Sequence, residues 1–564
     1  MRHFKLFGRL AGVLLLFAAT PTHAMPSRDT AFADYARARL AFGERDIAEA
    51  TRGFDAALVA DPGDVALRRR AFEMALIAGD ARRAEALAAA LPTGGGEDGE
   101  AALLTVARAF ARGDWRAADK AVDRLATLKF GGAITGTARA WLRFARGDVD
   151  GALALVKPEA APPGMSALVS EARARMLAAA GRWAEARKEY QSLVTGAGGN
   201  AGVETLIAAA NVAAHAGDRV AAADLLASGS GQSGAIEIAR ARLAAGEVIE
   251  PNVDGPREGL ASTIGALANE FVRARGASDA IAFARIASFA APDSPEQKLL
   301  LADVLRRAEQ PRAAIAVLDT MPRGSLWAGE ARELRAGLLT DLGRGADART
   351  LLAQAAHARD AGAFDWSLLG EYDGAAKRYV EAADDYGHAL ALAERGSAKA
   401  PWSLWFQRGS TYEQASDWAR AEPDLRRALV LAPHQPVVLN YLGYSLIDRG
   451  LKIEEGTELL RQALKLDPES AAILDSLGWA YFKTARAGDG VPLLERAVAA
   501  EPGDPTINEH LGDSYWAVGR RLEARFRWRA AQVGEPDAVQ AGRLAAKLDY
   551  GYDRAALADA TPRR

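Results

Sequence analysis

Val438-Leu439-Asn440-Tyr441-Leu442-Gly443-Tyr444, Asp475-Ser476-Leu477-Gly478-Trp479-Ala480-Tyr481 and His510-Leu511-Gly512-Asp513-Ser514-Tyr515-Trp516 are three versions of one phrase. Their glycines, with Gly409 before them, are spaced 34, 35 and 34 apart. Pro433, Pro468, Pro502 and Pro536 keep the same period, and Ala428, Ala463, Ala497 and Ala531 precede them by five residues. Tyr412, Tyr481 and Tyr515 follow three of the glycines at one offset. A period of this length is one pair of helices, too small to bury its own apolar face, so neighbouring pairs must stack to make a core. Each proline stops the second helix of its pair, because it lacks the N–H that the helix would need.

The period extends towards the N-terminus in a looser form. Ala50, Ala84, Ala118, Ala152 and Ala186 lie 34 apart, and Gly79, Gly113, Gly147 and Gly181 each precede an alanine by five residues. Ala280, Ala314, Ala348 and Ala382 resume the spacing after an irregular stretch. The glycine lets the chain leave the first helix with a positive φ. The small alanine admits the neighbouring helix, and a bulkier side chain there would cost roughly 1–3 kcal/mol.

Together, the aromatic, Leu-Gly, Tyr, Ala and Pro positions resemble the tetratricopeptide repeat (TPR). The resemblance implies an all-α fold, a TPR α-solenoid that winds as a right-handed superhelix of helix-turn-helix repeats. Gly456 and Gly490 stand where alanine is expected and Leu446 where tyrosine is, which predicts looser packing in those two units. Domain limits follow from the spacing: a signal peptide at 1–24, a degenerate solenoid at 25–222, an irregular joint at 223–260, further degenerate repeats at 261–400, four well-matched repeats at 401–536, and a capping helix and tail at 537–564. In the capping segment Ala541, Leu544, Ala545 and Leu548 share one helical face, suited to covering the last repeat.

The N-terminus reads as an export signal. Arg2, Lys5 and Arg9 precede the short apolar run Leu10 to Ala19, and Thr22-His23-Ala24 suits cleavage near Ala24. Ten apolar residues fall short of the roughly 20 that a spanning helix needs. Cysteine is absent, which excludes disulfides, thiolate metal sites and a lipid-bearing N-terminal cysteine, so the expected product is periplasmic and not a lipoprotein. A net charge of -3 gives no reason to expect nucleic acid as a partner.

Chemistry-bearing motifs are missing. There is no Gly-x-Ser-x-Gly, no phosphate-binding glycine loop, no His-Glu-x-x-His and no calcium loop. The seven histidines, at 3, 23, 215, 357, 388, 434 and 510, include no pair with metal-ligand spacing. No enzyme activity, catalytic residue, metal or cofactor is therefore expected.

A solenoid offers a concave wall, built from the first helix of each unit. With each repeat glycine as the eighth position, the fifth and ninth face this wall. They are Phe406, Asn440, Asp475 and Glu509, then Ser410, Tyr444, Trp479 and Asp513, with Phe482, Lys483 and Trp516 one turn further on. Asp475, Glu509 and Asp513 would repel a carboxylate, so the clamp that some TPR domains place on a partner's C-terminus is not expected. Aromatic groups between acids suit a basic or amphipathic segment. The competing reading of Trp479 and Trp516 is that they fill gaps between helices. Arg520, Arg521, Arg525, Arg527 and Arg529, with Phe526 and Trp528 among them, form a basic cluster that reads first as a solvated helix face and otherwise as peripheral contact with anionic lipid or an acidic partner.

The well-matched repeats that carry the three quoted phrases, about a quarter of the chain, are similar to a family of exported proteobacterial TPR proteins. Some members with similar C-terminal repeats are outer-membrane lipoproteins that deliver substrates to a carboxyl-terminal processing protease. The resemblance implies a periplasmic scaffold or adaptor with such a protease or its substrates as partners. The alternative is an assembly factor for envelope polysaccharide or lipopolysaccharide export.

Overall fold

The computed structural model describes residues 28–92, 99–128, 132–161, 164–198, 200–229, 233–249, 255–322, 324–395 and 400–552. The expected signal segment lies outside these residues. Among the described residues the regular structure is 30 α-helices and one 3-10 turn, without a strand. The helices form two compact units. One comprises the described residues of Met1–Gly199, Asn211–Asp218 and Glu250–Pro322, the other those of Asn200–Ala210, Arg219–Ile249 and Arg323–Arg564.

In the first unit, hairpins follow one another as the period requires: Val65–Ala78 with Ala81–Ala89, Gly99–Arg112 with Trp115–Thr127, Gly132–Ala145 with Val149–Leu153, and Ser166–Ala179 with Trp183–Gly196. Gly79 and Gly147 turn at φ 84° and 85°. The aspartate after each glycine then caps the next helix. Asp80 accepts from the Arg83 N–H at 2.9 Å, and Asp114 and Asp148 do the same at 3.0 Å for Ala117 and Gly151. Ala50, Ala84, Ala118, Ala152 and Ala186 are completely buried, as close helix contact demands.

The break in the period has a structural cause. Helices Pro256–Arg275 and Ala277–Ala290 form a hairpin that packs along Val65–Ala78, Gly99–Arg112, Gly132–Ala145 and Ser166–Ala179, the first helices of four successive pairs. These helices build the concave wall, so this unit covers its own groove. Gly259 lies against the buried indole of Trp141, where a Cβ would fall inside the ring. Arg285 is buried at the end of Val65–Ala78 and donates from Nε to the Ile77 carbonyl at 3.3 Å, a cation placed at the negative end of the helix dipole. Burial lowers its pKa to about 10.

In the second unit the helix Gly234–Ala244 docks on the middle repeats through two carboxylates. Glu237 accepts the backbone N–H groups of Ala363 and Phe364, both at 2.7 Å, and so caps the helix Ala363–Ala375. Glu330 accepts from the Ser233 hydroxyl at 2.7 Å and the Ala235 N–H at 3.0 Å.

The C-terminal repeats are Trp402–Gln414 with Trp418–Leu431, Pro436–Asp448 with Ile453–Leu466, Ala471–Lys483 with Ala487–Ala500, and Pro505–Ala517 with Arg521–Val533. The helix Ala538–Tyr550 follows. The expectation of looser packing at Gly456 and Gly490 is wrong. A Cβ on Gly456 would stand 2.9 Å from the Gly443 carbonyl oxygen, and one on Gly490 would stand 2.6 Å from that of Gly478. Paired glycines let these helix backbones approach more closely than alanine would. Leu446, in the tyrosine position, is completely buried.

Candidate functional site

The predicted wall residues separate into three groups along the C-terminal repeats. Phe406 is half-buried and packs edge-on against Trp402 and Tyr441, with ring centroids 6.2 and 5.4 Å apart. Asn440 and Tyr444, on the next first helix, are also half-buried. The Asn440 Oδ1 atom is shielded from solvent and accepts no hydrogen bond. Burial, joined by the charges of Asp448, Asp475 and Glu413, pushes the Tyr444 phenol above its ordinary range. Ser410 donates its hydroxyl to its own helix at Gln407, 3.0 Å away.

A second group forms around His510. Its Nδ1 is 3.0 Å from each carboxylate oxygen of Asp475, and its ring stacks on Trp479 at 4.0 Å. Trp479 also stacks on Phe482 at 4.8 Å, with the Lys483 ammonium 5.7 Å from the indole centroid. The Trp479 N–H is shielded and donates to nothing. Burial alone would lower the His510 pKa, but the charge and hydrogen bond of Asp475, with Asp513 and Glu509 nearby, raise it. A His-Asp pair beside a serine invites comparison with a hydrolase. Yet Ser514, one turn on, is completely buried, and His510 and Asp475 are each only 7% exposed, so this trio sits out of a substrate's reach.

The third group corrects the reading of the acids. Asp475, Glu509 and Asp513 are buried rather than displayed on an open wall. Glu509 accepts from Gln540 Nε2 at 2.9 Å, Lys547 Nζ at 2.7 Å and Arg543 at 3.1 and 3.2 Å. Asp513 accepts from Lys547 Nζ at 2.7 Å and Trp528 Nε1 at 2.9 Å. Burial would raise both carboxyls. At Glu509 the several donors prevail and lower the pKa to about 2, whereas at Asp513 burial prevails and raises it to about 6. A charge removed from water needs such partners, and here the capping helix supplies them.

Arg543 and Lys547 were missed by sequence reasoning, although a signal existed. They lie 34 residues after Glu509 and Asp513, so the ladder of fifth and ninth positions continues one step beyond Pro536. For the same reason the capping helix buries Gln540 and Lys547 with Leu544, while Ala545, expected on the buried face, is exposed. Trp516 behaves as a gap-filler: it lies against Trp528, with centroids 5.4 Å apart, and against Gly551, with Arg521 over its ring.

Comparisons with known proteins agree on the repeat. No protein-family model matches the chain. It is 38% identical over 87 residues to a TPR repeat-containing protein of Pseudomonas aeruginosa, covering 15% of each chain. It is 34% identical over 104 residues to tetratricopeptide repeat protein 13 of Homo sapiens, covering 18% of this chain and 11% of that one. The chain is built of tetratricopeptide repeats. These alignments span only a small part of either relative. Among solved structures, the Cut9-Hcn1 hetero-tetramer of the APC/C is similar at 14% identity, with 92% of this chain and 96% of that one covered and a TM-score of 0.39. A TPR protein of Parabacteroides merdae is similar at 12% identity, with 45% and 97% covered and a TM-score of 0.37. TPR proteins in general mediate contacts between proteins.

Proposed function

We propose that this chain is a non-enzymatic scaffold of the bacterial periplasm that holds a partner protein against the wall formed by Phe406, Asn440, Tyr444, Trp479, Phe482 and Lys483. One observation carries this reading: Asn440 Oδ1 and Trp479 Nε1 are an acceptor and a donor left unpaired among half-buried aromatic side chains. Buried polar atoms are normally paired; Trp141 Nε1 under the covering hairpin is unpaired too, but Asn440 and Trp479 lie on the wall that no such hairpin covers among the described residues, where a ligand can supply both partners. A peptide backbone does so with its own N–H and C=O. Since Glu509 and Asp513 are neutralised within the chain, the favoured partner segment is uncharged and apolar, not basic. Delivery of such segments to an envelope protease is the role that the C-terminal resemblance supports.

The test is the near-isosteric Asn440→Leu combined with Trp479→Phe, which together delete the two polar atoms and keep an aromatic ring on the wall. Two hydrogen bonds of about 1 kcal/mol each imply roughly a tenfold or greater loss of partner recovered after crosslinking in intact cells. Undiminished recovery would refute the assignment.

A further inference from the structure

The helix Arg521–Val533 carries an apolar stripe that the repeat does not use. Leu522, Phe526 and Val533 are 66%, 58% and 82% exposed, and at 100° per residue they fall with Arg529 on one narrow face. The repetition provides an internal control. Counting back from the anchor alanines Ala531 and Ala463, the same four positions two repeats earlier are Glu454, Glu458, Arg461 and Lys465, all exposed and all charged. The first and third repeats place Ala419, Pro423, Arg426 and Val430, and Gly488, Pro492, Glu495 and Ala499 there, with Val430 71% exposed, so what sets the last repeat apart is the large apolar pair Leu522 and Phe526. Of the aromatic residues in this cluster, the repeat buries Trp528 completely and leaves Phe526 exposed.

The charge around the stripe is one-sided. The helix holds Arg521, Arg525, Arg527 and Arg529 against Glu523, and Glu523 is already paired with Arg520 at 3.1 Å. Arg529 lies within the stripe, and Arg521 and Arg525 follow one edge of it at helical spacing, Arg521 over the Trp516 ring and Arg525 reaching the Leu548 carbonyl of the capping helix. Aliphatic and aromatic side chains on a face rimmed by guanidinium groups are the components of a helix that lies in the plane of a membrane surface, its apolar groups at the acyl boundary and its arginines on phosphates. Among the described residues no helix is long and apolar enough to cross a bilayer, so the contact is peripheral.

We propose that the outer face of Arg521–Val533 docks on an anionic lipid surface. This inference is independent of the groove reading, since it uses no wall residue. It is tested by floating the full purified chain with vesicles of phosphatidylcholine alone or mixed with phosphatidylglycerol, beside the variant Leu522→Glu with Phe526→Glu, which restores the charges of the earlier repeat. Binding should require phosphatidylglycerol, weaken as salt rises and drop about tenfold or more in the variant. The comparison isolates this helix from every other apolar segment of the chain, and both changes are at exposed positions, so circular dichroism should be unaltered. Equal flotation of the two proteins overturns the proposal. So does absence of flotation, whether the stripe is then found to join two copies of the chain or to capture a soluble acidic protein.

Discussion

In the N-terminal repeats the wall made by the first helices is covered by the hairpin Pro256–Ala290 of the same unit, with Gly259 seated on Trp141 and Arg285 on the end of Val65–Ala78. In the C-terminal repeats the corresponding wall keeps Asn440 and Trp479 with unpaired polar atoms and closes only at its last step, where Lys547 and Arg543 meet Glu509 and Asp513. One repeat thus yields two kinds of surface. The difference lies in what is laid against the first helices, and it decides where a partner has room to bind.

The comparison is broken most severely at Lys547. Replacing it with methionine leaves Glu509 short of a donor and removes the cation from Asp513, both deeply buried. A loss of about 3–5 kcal/mol is expected, read as a lower denaturant midpoint in the transition followed by Trp528 fluorescence. In the other unit, Gly259→Leu drives a side chain into Trp141 and should cost about 1–3 kcal/mol, seen as faster hydrogen exchange across Pro256–Arg275. Ala485 holds φ 59° between helices of the third C-terminal repeat, where the N-terminal hairpins use glycine. Ala485→Gly should relieve the strain and stabilise this region by about 1 kcal/mol, measured as a raised midpoint. The smallest effect is in pH. Because the folded pKa of His510 is raised, its contribution is complete below the ordinary histidine range and is lost as pH rises through the folded value. Asp513, raised to about 6, acts in the same sense, whereas the contribution of Glu509 disappears only as pH falls towards about 2. The C-terminal transition should therefore weaken first as pH rises from the ordinary aspartate range towards about 6, through Asp513, and again above the ordinary histidine range, through His510, and His510→Gln should flatten the second slope in a series of thermal melts.

Much of the fold was legible because the repeat assigns backbone tasks to particular residues. Gly79 and Gly147 mark left-handed turns, Asp80 and Asp148 mark caps, and Ala84 and Ala152 mark helix contacts, each a local requirement that one residue type meets best. What stayed hidden is tertiary. Pro256–Ala290 has the composition of any other helix pair, and nothing local tells that it lies across four earlier hairpins. The candidate site was legible in position but not in exposure. Asp475, Glu509 and Asp513 are on the wall as the register requires, yet they are buried with His510, Arg543 and Lys547. The period pairs Arg543 and Lys547 with them only when its register is carried past Pro536, and no local pattern pairs His510 at all. Gly456 and Gly490 show the same limit, since a missing methyl group reads as looseness until the opposing carbonyl is seen.

The proposed partner site lies on the C-terminal wall and not in the N-terminal groove. Photo-crosslinking amino acids at Tyr444 and Phe482, set against the same probe at Ala107 and Ala138 on the covered first helices, test it within one protein. Partner adducts from Tyr444 and Phe482, with none from Ala107 or Ala138, are the predicted result. Adducts from the N-terminal positions, at equal or greater yield, would contradict it.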